Sequence, residues 1–147
     1  MVIDKKFTEP KNYGDKRNKN DIEYIVIQEF SDKPTAHYHI VNEQVLQLIP
    51  DDFISNAVNG GKCCNLGIYH GICTKYNCIS ICIVENPNEN DLELLSHLIM
   101  TIKRRYKIND DNILRQSDVT GEPNPQMLLD NRKWHEKVIQ RDRKSVV

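Results

Sequence analysis

Two short runs of branched apolar residues constrain this chain more than anything else in it. Glu23-Tyr24-Ile25-Val26-Ile27-Gln28 is apolar almost without interruption, and Asn77-Cys78-Ile79-Ser80-Ile81-Cys82-Ile83-Val84 alternates small with branched side chains. A run of this length with no polar face is a strand covered on both sides, which places it in the middle of a layered α/β fold. His37-Tyr38-His39-Ile40-Val41 and Gln44-Val45-Leu46-Gln47-Leu48-Ile49 flank Asn42-Glu43, the pattern of two strands around a tight turn. At 147 residues the chain has the size of one domain. The expectation is a single α/β domain, a central mixed β-sheet flanked by helices.

Helical signals follow the second run. Asn90 is placed to cap a helix with Glu93 three residues on, Leu92, Leu95, Ile99 and Ile102 recur at helical spacing, and Lys103-Arg104-Arg105 complements the C-terminal dipole. Asn112-Ile113-Leu114 reads as a short strand entering a loop broken by Gly121, Pro123 and Pro125. Asp130 starts a last helix in which Trp134 and Val138 share a face. Pro50 to Lys62 is expected to be loop. Residues 1–20 are polar and carry Pro10, so they are expected to form an irregular lead-in, packed on or flexible, ahead of a domain that occupies residues 21–147, with no separate second domain.

Charge and composition exclude several classes. Twenty basic residues against twenty-one acidic ones leave a net charge of -1, which gives no bulk electrostatic grip on nucleic acid or an anionic membrane. No apolar stretch approaches the roughly twenty residues that span a bilayer. The start, Met-Val-Ile-Asp-Lys-Lys, lacks a signal-peptide core, so the chain is expected to be cytoplasmic as synthesised. Five cysteines (Cys63, Cys64, Cys73, Cys78, Cys82) are an odd number with no Cys-x-x-Cys pair, which suits reduced, buried thiols better than a zinc knuckle.

Three strings carry a resemblance. Thr35-Ala36-His37-Tyr38-His39-Ile40, Asn77-Cys78-Ile79-Ser80-Ile81-Cys82 and the long segment from Ile113 to Pro125 (Ile-Leu-Arg-Gln-Ser-Asp-Val-Thr-Gly-Glu-Pro-Asn-Pro) follow one another in the order of a known domain. The chain resembles the zinc-dependent N-acetylmuramoyl-L-alanine amidases related to phage endolysins and peptidoglycan recognition proteins, from about Ile22 to Val138. The counterparts there are Ser-Ala-His-Tyr, Asn-Ser-Ile-Gly-Ile-Glu and Ile-Leu-Arg-His-x-Asp-Val-Thr-Gly-Lys-x-Cys-Pro. The last match sets the register.

That register implies a degenerate member of the family. The positions of the zinc ligands fall at Gln28, Gln116 and Asn124, the catalytic lysine at Glu122, and the acidic residue closing the middle strand at Cys82. A Trp-His pair in the preceding loop corresponds to Ala57-Val58, and the interval between Gln28 and Tyr38 is shorter than the family's by about twenty residues, a helix's length. Zinc is held by imidazole, thiolate or carboxylate, whereas the amides of Gln and Asn are neutral, weak donors. Without the metal, a water keeps a pKa of about 15.7 rather than about 7. Glu122 reverses the sign of the charge that would face an oxyanion, and at about 4 Å with an effective dielectric of 20 each sign is worth roughly 4 kcal/mol. The resemblance therefore implies no catalytic residue, no zinc or other cofactor, and a pseudoenzyme that works by binding either a muropeptide-like peptidoglycan fragment or a protein partner (an active amidase or a second copy of itself).

The residual groove is expected to involve Tyr38, His37, His39, Asn59, Cys82 and Asp118. His37 and His39 alternate with Tyr38, so they face away from it, and are read first as packed or rim histidines. The rival function is a working amidase with a rearranged metal site, His37 or His39 with Cys82 and Asp118. A Cys82–histidine dyad and an Asp118–Glu122 carboxylate pair rank below it.

Overall fold

The computed structural model describes residues 1–29, 35–58 and 67–140. The two apolar runs form β2 (Tyr24–Glu29) and β5 (Cys78–Ile83), which lie side by side, parallel, in the interior of the sheet with a strand on either side of each. The remaining strands are β1 (Ile3–Lys5), β3 (Tyr38–Val41), β4 (Gln44–Gln47) and β6 (Ile113–Arg115), and the six-stranded order is β1-β4-β3-β5-β2-β6. Among the six strands of the described residues only β3 and β4 pair antiparallel. Their turn is the expected Asn42-Glu43, with both residues at positive φ (51° and 58°), as a two-residue hairpin demands. The expected mixed sheet of a single α/β domain is the observed one.

Helix α1 (Glu89–Tyr106) covers one face of the sheet and the final helical segment packs beside it. Leu92, Leu95, Leu98, Ile99 and Ile102 meet Ile25, Ile27, Tyr38, Ile40, Ile79, Ile81 and Ile83 in one continuous core. The start of α1 lies two residues before the expected one. Asn88, not Asn90, is the cap: its side chain accepts the Asp91 N–H at 2.8 Å, and the Asp91 carboxylate accepts the Asn88 N–H at 3.1 Å. Asp91, not Glu93, therefore closes the box.

Two expectations of irregular chain are corrected. The lead-in contributes β1, which pairs parallel with β4, and sends Arg17 into the interior. After β6 the chain turns directly into α2 (Gln116–Thr120), which Gly121 ends in a left-handed conformation at φ 83°. Helix α3 (Asn131–Trp134) continues as a π-helical turn over His135–Ile139, and Asp130 caps it as expected, accepting from the Arg132 and Lys133 N–H groups. Trp134 and Val138 are both buried. No helix among the described residues is long and apolar enough to cross a membrane.

Candidate functional site

The face of the sheet turned away from α1 changes character along the strands. At the start of β2 and β5 it is apolar: Tyr24, Val26, Cys78, Leu114, Val119, Val58 and Cys73 form a second, smaller core. Val58, at the position of the family's Trp-His pair, belongs to this packing. At the far end the same face becomes polar. Pairing of β2 with β5 and of β5 with β3 sets Gln28 beside Cys82 and Cys82 beside His39 in one row. The Gln28 amide nitrogen lies 4.0 Å from the Cys82 sulfur. His39, Cys82, Val41, Val84 and Glu85 are among the residues bounding a cavity of about 220 Å³ at the end of this row. The carboxyl ends of parallel strands are where open α/β sheets place ligands.

The positions assigned to zinc ligands do gather here. Ile27 pairs with Arg115, so Gln28 and Gln116 follow at the adjoining ends of β2 and β6. Asn124 is drawn in by its side-chain oxygen, which accepts the Glu29 N–H at 2.7 Å, while its carbonyl accepts the Ser117 N–H at 2.9 Å. Gln116 donates its amide to the Glu122 carboxylate at 3.3 Å. These residues do not fit a zinc ion. All three are amides, the Asn124 oxygen is already committed to a backbone N–H, and Gln116 is tied to an acid. Among the described residues no three His, Cys, Asp or Glu side chains converge on a point that could hold a metal.

Several expected groove residues are placed elsewhere. His37 is fully buried. Its Nε2 lies 2.8 Å from the Phe53 carbonyl, while Nδ1 lies 3.1 Å from both the Ser80 N–H and the Ser80 hydroxyl. One neutral tautomer satisfies all of these, with Nε2–H donating to Phe53 and Nδ1 accepting from Ser80. Burial, and after it the Arg17 guanidinium 3.2 Å from Nε2, hold the His37 pKa down to about 4. Arg17 in turn donates to the carbonyls of Asp51, Cys78, Tyr76 and Lys75, pinning the lead-in to β5. His37 is thus a packed histidine. His39 also has its pKa lowered by burial, but it stays at the cavity.

Tyr38 points the other way, into the α1 core, and its hydroxyl donates to Asp51 at 2.8 Å. Arg105, Tyr106 and Gln47 supply the other donors to that carboxylate. Burial and the Asp51 charge push the Tyr38 hydroxyl well above the usual phenol range. Asp118 accepts the Arg115 N–H at 2.9 Å and its guanidinium at 3.3 Å, so it serves α2 and Arg115 rather than a groove, while Glu122 accepts from Gln116. Arg115 itself lies 5.3 Å above the Trp134 ring. Asn59, Cys63 and Cys64 lie outside the described residues. Cys73 and Cys78 sit together in the second core, where the hydrogen bond between them and their burial drive the Cys73 thiol far above its ordinary range. Both thiols are buried among apolar side chains.

No protein-family model and no curated protein sequence matches the chain. Solved structures do. The catalytic domain of PlyG aligns over 98% of this chain and 94% of its own with a TM-score of 0.76 at 18% identity. A mutant endolysin from Bacillus subtilis aligns over 93% and 96% with a TM-score of 0.71 at 17% identity. The N-acetylmuramoyl-L-alanine amidase LysC from Clostridium intestinale URNW aligns over 85% and 89% with a TM-score of 0.61 at 14% identity. Despite the low identities, the chain has the fold of endolysin and N-acetylmuramoyl-L-alanine amidase catalytic domains.

Proposed function

We propose that this chain is an amidase-like domain that has given up zinc-dependent hydrolysis and works by binding a peptidoglycan fragment in its groove. One observation carries the reading: the three positions that the resemblance assigns to the metal hold amides, and Asn124 spends its oxygen on the Glu29 N–H at 2.7 Å. A dication there would face neutral, weak donors in place of charged ones, and Glu122 stands where a lysine would have stabilised an oxyanion. The cavity beside Cys82 and His39 remains open to a ligand. Against the rearranged metal site, in either its His37 or its His39 form, stands the commitment of Asp118 to Arg115, and His37 is further committed to Phe53 and Ser80.

The test has two arms. Purified peptidoglycan incubated with the protein and added zinc should release no cleaved muramoyl–L-alanine product. In amide spectra, muramyl dipeptide should shift residues around His39, Cys82 and Gln116. Cleavage in the first arm overturns the loss of chemistry. A flat response in the second removes the groove as the binding surface and turns attention to a protein partner, an active amidase or a second copy.

A further inference from the structure

A second cavity lies on the α1 side of the sheet, on the face opposite to the row of Gln28, Cys82 and His39. Pairing of β1 with β4 and of β4 with β3 sets Lys5 beside Gln47 and Gln47 beside Tyr38, one row across three strands. Tyr38 belongs to the core under α1, and His39, the next residue on the strand, faces the other way. The row, the last turn of α1 and residues 50–52 line a cavity of about 350 Å³. That is room for a small ligand.

One buried carboxylate fixes the inner wall. Asp51 is 8% exposed, and both of its oxygens are fully used. Oδ1 accepts from the Tyr38 hydroxyl at 2.8 Å and the Gln47 amide at 3.3 Å, and Oδ2 from Arg105 Nη1 at 3.0 Å and the Tyr106 hydroxyl. Asp51 thus holds the Arg105 guanidinium at the cavity with the side chain still 45% exposed. This network ties the end of α1 to the sheet and accounts for Asp51 and Arg105 as structure.

It does not account for Lys5 and Lys19. Both line the same cavity, and neither forms an ion pair among the described residues. Nearby lysines of the lead-in do find acids, Lys6 with Asp4 and Lys11 with Glu9. With Asp51 matched to Arg105, the lining sets two lysines against one further carboxylate, Asp52, an excess of positive charge. The same cavity has an aromatic side: Phe7, 46% exposed, and Tyr106.

We propose that this cavity is a further binding site, for a phosphate monoester with an aromatic body. The phosphate sits against Lys5, Lys19 and the exposed part of the Arg105 guanidinium, and the aromatic group against Phe7 and Tyr106. Two unpaired lysines suit a group carrying close to two negative charges, as a phosphate monoester does at pH 7, and the rings offer flat apolar contact. A cation is a poor fit, since Asp51 has no acceptor position left and Asp52 would compete against two lysines.

The experiment uses 1-naphthyl phosphate, inorganic phosphate and 1-naphthol as probes of the full chain, by calorimetry at low salt and neutral pH and by amide spectra. The naphthyl phosphate should bind. Inorganic phosphate, lacking the ring, and 1-naphthol, lacking the charge, should each bind at least roughly tenfold more weakly. The double variant Lys5→Gln/Lys19→Gln should lose roughly tenfold in affinity for the naphthyl phosphate, and Phe7→Ala about threefold. These side chains are exposed, so melting temperatures should hold; should a variant melt low, the wild-type spectra decide alone. In those spectra the signals of Lys5, Phe7, Lys19 and Arg105 should move, and those of His39 and Cys82 should stay. No binding of the naphthyl phosphate, equal binding of 1-naphthol, an unchanged affinity in a well-folded lysine double variant, or shifts confined to His39 and Cys82 would each overturn the proposal.

Discussion

The two faces of the sheet are made from the same strands and obey different rules. Ile81 and Cys82 are consecutive on β5, both buried, and point to opposite sides. Ile81 meets α1 in the larger, mainly aliphatic core. Cys82 stands in a row whose members include an amide with an unsatisfied oxygen. Each side leaves a buried polar oxygen without a partner among the described residues, Ser96 Oγ on α1 and Gln28 Oε1 in the row, but only the row lies at the strand ends where a ligand would sit. Proteins commonly concentrate such losses at functional sites.

The largest expected effect separates these neighbours directly. Ile81→Ala should destabilise the protein by about 4 kcal/mol, as a large-to-small change in a tight aliphatic core does. Cys82→Ala should cost about 1 kcal/mol, the worth of roughly one buried methylene-sized group. Denaturant melts of both variants check the ratio, and equal losses would erase the distinction between faces.

Acid should find the polar face next. The His37 pKa is lowered from 6.5 to about 4 in the folded protein. Between these values the unfolded chain binds the proton more readily, so stability is full above pH 6.5 and falls as the pH drops towards 4. The loss should reach about 3 kcal/mol at about 1.4 kcal/mol per pKa unit. His37→Gln, melted across the same range, should flatten this slope. An unchanged slope would place the acid sensitivity elsewhere.

The smallest effect sharpens the other side. Asn88→Ala removes the cap of α1 and should cost about 1 kcal/mol. The amide signals of Gln28, His39 and Cys82 should not move, because the reciprocal bonds of the capping box join Asn88 to Asp91 and not to that row. Shifts there would show that the faces are coupled.

How much of this was legible in the residues depended on how local the cause was. β2, β5 and the Asn42-Glu43 turn are written in contiguous runs, and the structure follows them. The cap of α1 was misplaced because Asn88 and Asn90 offer the same side chain, and only the reciprocal bond with Asp91 decides between them. β1 is not legible because a three-residue edge strand that includes Asp4 and Lys5 and is followed by Lys6 has no apolar pattern; charged residues are what a sheet edge uses to stay unpaired with other chains. The roles of His37 and Tyr38 were beyond reading, since Arg17, Phe53, Ser80 and Asp51 come from distant parts of the chain. Alternation did place the two side chains on opposite faces. The gathering of Gln28, Gln116 and Asn124 was visible only through the family resemblance, and the bond from Glu29 to Asn124 had no sequence signal.

The central claim concerns what those three amides can hold. Titrating the purified, metal-stripped protein with zinc in a calorimeter tests it most directly. The account predicts no saturable heat at micromolar zinc in the wild type. One tightly bound ion per chain, lost when Gln28 and Gln116 are changed to alanine, would contradict it.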